Sequence, residues 1–160
     1  MKTMRVTGFV RKKPNHILID SGSTNNFLDV QMAKRLGCKI ESMKPLRVSV
    51  ADGNTLAISS MVKKFSWQLQ QSTFNSDVML LPLGGCDLVL RIEWLVSLGD
   101  IMWNFDRLVM DFSLKGKRHV LRGFSSRGLK TVKKQQISKA IEEGVHLFMI
   151  QLCDQGEGLL

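Results

Sequence analysis

The apolar run Ile17-Leu18-Ile19 leads without a break into Asp20-Ser21-Gly22, and this junction constrains the chain more than any other. Three consecutive apolar residues ending at turn formers read as a buried strand. Gly22 lets the chain turn tightly with φ above zero, so the carboxylate of Asp20 is offered from a rigid loop. The Ser21 hydroxyl can bond neighbouring backbone or a symmetry mate and so fix that loop. A strand-end turn or a helix cap is the plainer use of such an aspartate, and the triplet alone does not exclude it.

Around this junction the first 120 or so residues read as short strands. Met4 to Val10 alternates loosely, and Lys12-Lys13-Pro14-Asn15 looks like a turn. After Gly22 the spacing of Phe27, Val30, Ala33 and Leu36 predicts a helix, capped by Thr24, Asn25 or Asn26 and stopped at Gly37. Leu46, Val48 and Val50 alternate into a hairpin at Asp52-Gly53, with Leu56 and Ile58 on the way back. Strands follow over 62–70 and 74–81, then a break at Pro82-Leu83-Gly84-Gly85, a brief strand Leu88-Val89-Leu90, and a short helix from Ile92 to Leu98. Ile101, Trp103 and Phe105 alternate, as do Leu108, Met110, Phe112 and Leu114, before a turn at Lys115-Gly116-Lys117. A boundary is expected between Gly123 and Gly128, followed by a helix ending at Gly144 and an apolar run from Val145 to Leu152.

Composition narrows the function classes. Hydrophobic residues make up 44% of the chain, enough for a packed core. No run of 18 or more apolar residues occurs, so no membrane span is expected, and the N-terminus lacks a signal-peptide pattern, which points to an intracellular, non-secreted protein. Cys38, Cys86 and Cys153 match no zinc spacing and read as small hydrophobes, while His16, His119 and His146 are scattered; no metal and no cofactor is expected. The net charge of +9 sits in one segment: residues 115–139 hold nine basic side chains and no acid. This is either a solvated linker or a patch making weak nucleic-acid contacts, and no aromatic ladder accompanies it to stack on bases.

Two copies of the Asp20 loop brought face to face would place two carboxylates about one water apart. Like charges that close cannot both ionise, so they share a proton. One carboxylate can then take a proton from the trapped water while the other protonates an amide carbonyl. Neither histidine nor cysteine is needed.

The stretch Ile17-Leu18-Ile19-Asp20-Ser21-Gly22-Ser23-Thr24-Asn25-Asn26-Phe27-Leu28 resembles the active-site segment of retropepsin-like aspartic proteases in the Gag-Pol polyproteins of plant Ty3/gypsy-type retrotransposons. The likeness continues through Val48 to Asn54, Leu80 to Leu90, Trp94-Leu95, Leu98-Gly99 and Trp103-Asn104-Phe105. It implies a mainly β fold, a retropepsin-like closed β-barrel (an acid-protease lobe) with short helices and a C-terminal helical connector. Residues 1–123 would form the protease domain, and 124–160 a basic linker and connector toward a missing reverse transcriptase. Asp20 would be the catalytic residue of each subunit of a homodimer, with Ser21, Gly22, Ser23 and Thr24 supporting the loop. Ala51, Asp52 and Gly53 would form a flap over the peptide. The implied activity is aspartic endopeptidase, cutting junctions of the element's own polyprotein.

Two departures stand against that pattern. Arg91 follows Leu88-Val89-Leu90 where the family shows glycine, in a strand expected to pass behind the active-site loop. Its side chain could clash there, pair with Asp20 and disturb the shared proton, or swing to solvent. Met1 also falls close to the first expected strand, so upstream polyprotein would be missing. Both suit a decayed copy, and the alternative function is a catalytically inactive retropepsin fold kept as a dimerisation or scaffold segment.

Overall fold

The computed structural model describes residues 3–49, 54–104 and 106–124. The flap residues Ala51, Asp52 and Gly53, and the linker, helix and apolar end expected beyond 124, lie outside the described residues.

Among the described residues ten strands and two short helices follow in order: β1 (Thr3–Val10), β2 (Lys13–Asp20), β3 (Phe27–Asp29), α1 (Val30–Arg35), β4 (Glu41–Ser49), β5 (Thr55–Leu69), β6 (Ser72–Leu81), β7 (Leu88–Leu90), α2 (Ile92–Leu95), β8 (Ile101–Asn104), β9 (Val109–Leu114) and β10 (Lys117–Arg122). A 3₁₀ turn, Val96–Leu98, extends α2. Seven strands form one sheet in the order β1-β2-β7-β3-β6-β5-β4, and a pairing of Phe9 with Gln68 joins β1 to β5. The mainly β, retropepsin-like architecture is therefore present as a ring of strands, with β8, β9 and β10 as a separate three-stranded sheet. Gly8 permits the closure. A Cβ there would meet Ile17 Cδ1 at 2.5 Å and the Gln68 carbonyl oxygen at 2.9 Å.

The apolar runs have a simple cause. Ile17 and Ile19 of β2, Leu28 of β3 and Leu88 and Leu90 of β7 pack into the main core with Trp67, Phe74 and Trp94. Leu18, Phe27 and Val89, pointing the other way, join a second core with Val48, Ile58, Leu81 and Leu83. The three strands are covered on both faces, so polar alternation is lost.

Local differences from the sequence reading are instructive. The first turn is Arg11-Lys12, both with positive φ (51° and 68°), as a two-residue hairpin of the primed type requires; Lys13, Pro14 and Asn15 already belong to β2. Phe27 to Asp29 is a strand, and only Val30–Arg35 is helical. The cap of α1 is Asp29, whose carboxylate accepts from Met32 N, rather than Thr24, Asn25 or Asn26. The return strand of the hairpin and the strand expected over 62–70 are one 15-residue strand, with its register shifted between Val62 and Phe65.

Candidate active site

Asp20 is the last residue of β2 and is 1% exposed. Its Oδ1 accepts a hydrogen bond from Gly22 N at 2.8 Å, which closes the Asp20-Ser21-Gly22 turn on itself. β7 lies between the two arms of this loop. It runs parallel to β2, with Ile17, Leu18 and Ile19 opposite Leu88, Val89 and Leu90, and antiparallel to β3, with Phe27 opposite Val89. The loop is thus wrapped around a short apolar strand and cannot shift without breaking ladders on both sides.

The segment after β7 is bonded to the loop as well. Ile92 N donates to the Ser23 carbonyl at 3.1 Å, and Glu93 N donates to the Thr24 carbonyl at 3.0 Å. The first amides of α2, which an isolated helix would leave unpartnered, are satisfied by the loop they support. Ser23 and Thr24 each lend a main-chain carbonyl to this contact. Burial, reinforced by the charge of Asp77, pushes the Glu93 carboxyl above its ordinary range.

Arg91 continues the register that ends with Ile19 opposite Leu90, so it falls beside Asp20. Its Nε lies 3.6 Å from Asp20 Oδ2, and both side chains are 1% exposed. The guanidinium carbon sits 5.3 Å from the centroid of the Phe27 ring, within cation–π range. Of the three outcomes open from sequence, the structure has the pairing with Asp20.

Two residues that the sequence did not single out for the site hold it together. Asn26, 1% exposed, accepts from Arg91 N at 2.7 Å, donates to Ser76 Oγ at 2.9 Å and takes Met79 N on its carbonyl at 3.0 Å. Asp29 accepts from Leu83 N at 3.0 Å through the oxygen not used in capping α1. An aspartate just before an apolar helical segment is a cap signal, so Asp29 was findable; the contacts of Asn26 depend on distant strands.

Cys86 is buried, and burial pushes its thiol up to about 12; Cys38 is half-buried. Among the described residues, no cluster of three or more His, Cys, Asp or Glu could hold a metal ion, and no helix is long and apolar enough to cross a membrane. In the described part of the basic segment, Arg118 forks onto Asp111 and Lys117 Nζ donates to the Gln70 carbonyl at 3.2 Å. Those two cations are already engaged.

A ring of strands with an aspartate loop wrapped around an inner strand defines the retropepsin-like class of fold. The profile described as retroviral aspartyl protease matches residues 2–111, and the chain belongs to that family. A crystal structure of the retroviral protease-like domain of Ddi1 from Leishmania major is similar with a TM-score of 0.57 at 13% identity, covering 78% of this chain and 96% of that one. At that identity the likeness speaks for the fold. None of the curated proteins matches the chain.

Proposed function

We propose that this chain is built as one half of a homodimeric aspartic endopeptidase that cuts junctions of a retroelement polyprotein, with Asp20 as the carboxylate each subunit contributes. The observation that carries the reading is the Asp20 turn, closed by Gly22 N and wrapped around β7. Asp20 alone among the aspartates precedes Ser/Thr-Gly, so a two-fold axis must supply the second copy.

In the reaction, water adds to the scissile carbonyl carbon. One Asp20 carboxylate accepts the water proton, and the protonated Asp20 of the other subunit gives its proton to the carbonyl oxygen. The resulting gem-diol collapses as the C–N bond breaks: one of its hydroxyls returns a proton to the second carboxylate, and the amide nitrogen leaves with the proton held by the first. Residues 51–53 would close over the peptide, and 1–123 would be the folded unit with 124–160 as connector. The basic segment 115–139 would add, at most, weak nucleic-acid contacts dependent on salt.

Peptide cleavage with an Asp20→Asn control tests the reading. Cleavage that survives Asp20→Asn would contradict it. The second reading, a dimerisation or scaffold segment without activity, is favoured by one observation: the Asp20 carboxylate is buried against Arg91.

A further inference from the structure

Among the fully buried side chains of the described residues only Trp67 is larger than Arg91, and Arg91 carries a fixed charge into the interior. It is held from three sides: its N–H donates to Asn26 Oδ1, its guanidinium faces the Phe27 ring, and Nε stands against Asp20. Four other charged groups on or next to the surrounding strands are engaged elsewhere. Arg5 of β1 donates to the Gly85 carbonyl, Asp29 of β3 caps α1, Asp77 of β6 accepts from Lys64 N, and Asp87, just before β7, accepts from His16 N. Glu93 of α2 is exposed and lies near the charge of Asp77.

The Asp20 carboxylate is consequently turned inward, one oxygen on Gly22 N and the other toward Arg91. Dyad chemistry asks that same carboxylate to face its copy and to exchange protons with a water between them. A guanidinium stays charged at any ordinary pH and accepts no hydrogen bond. It can offset the negative charge as a shared proton does, yet it cannot be passed to a carbonyl oxygen. Two Asp20 carboxylates meeting across a two-fold axis would each carry their own counter-charge, and no proton would be needed to bring them together.

We propose that Arg91 is a positioning residue that holds Asp20 inward as a permanent ion pair, so that this chain dimerises without a shared proton and hydrolyses peptides slowly. The inference rests on the reading of Asp20 as the dyad carboxylate. It is tested on the full chain with Arg91→Gly, with Arg91→Met, which keeps a long stem without charge, and with Asp20→Asn in all three backgrounds. Peptide cleavage across about pH 3 to 7 and the thermal transition are read together.

Removing the charge is expected to raise cleavage by roughly 100-fold, the lower end of what a general acid contributes. Asp20→Asn should lower the thermal transition of the parent chain and barely move that of Arg91→Met. A parent chain that cleaves as fast as Arg91→Gly, with the same pH profile, would overturn the inference. So would equal thermal effects of Asp20→Asn in the parent and Arg91→Met backgrounds, whatever the cleavage. No cleavage by any form, with the thermal coupling intact, would instead overturn the protease reading and leave the ion pair standing. Should Arg91→Gly fail to fold, Arg91→Met carries both measurements.

Discussion

Arg91 Nε and Asp20 Oδ2 lie 3.6 Å apart in the buried interior, one residue beyond the parallel pairing of Ile19 with Leu90. A buried pair of this kind adds little net stability over an apolar replacement, but losing one partner strands the other charge. Asp20→Asn is therefore expected to cost about 3–5 kcal/mol. The cost should be largely absent when Arg91 is replaced too. Urea midpoints for the two single variants and the double variant check this; simple additivity would show that the two side chains do not sense each other.

Asp29 ties α1 to the segment after β6, accepting from Met32 N with one oxygen and from Leu83 N with the other. Asp29→Ala should lower stability by about 2 kcal/mol. Asp29→Asn, whose side chain caps comparably, should cost markedly less. Chemical denaturation of both variants separates the cap from the charge.

Cys86 links stability to alkaline pH. Burial raises its thiol from an ordinary 9.0 to about 12, so the folded state keeps its proton over a range where the unfolded chain gives it up. The contribution is fully present below 9.0 and is lost as pH climbs toward 12. The stability difference between the parent chain and Cys86→Ala should shrink by about 1.4 kcal/mol per pH unit above that lower value. Denaturation at two alkaline pH values reads it, and a constant difference would mean that the thiol is not sequestered.

Gly123 marks where the described fold ends. A Cβ there would meet Met4 Cγ at 2.0 Å and the Arg5 carbonyl oxygen at 2.9 Å, while Gly123 N donates to Leu108 O and Phe124 N to Arg5 O. Gly123→Ala should destabilise by roughly 1–3 kcal/mol through overpacking. Ending the chain after Phe124 should leave the thermal transition nearly unchanged. A loss of cooperative unfolding in that truncation would show that residues 125–160 belong to the core.

The strands around Asp20 were legible because burial on both faces leaves an apolar run, and the stop at Gly37 because its φ of 67° suits glycine. Phe27 to Leu36 misled because apolar residues three apart satisfy a helical period. In the fold, Phe27 pairs with Val89 and Met79 on distant strands, and those ladders override the local pattern. The place of Arg91 followed from the β2–β7 register, which no local signal encodes. Asn26 likewise gains its role only once Ser76, Met79 and Arg91 converge on it.

The most direct test of the central claim is Asp20-dependent proteolysis, measured by mass spectrometry on an unstructured polypeptide incubated with Arg91→Gly and with Arg91→Gly/Asp20→Asn. Sedimentation at high micromolar concentration runs alongside. The account predicts a two-fold dimer for both, new peptide termini with the first, and none with the second. Cleavage by both forms, or cleavage by a chain that sediments only as a monomer, would contradict it.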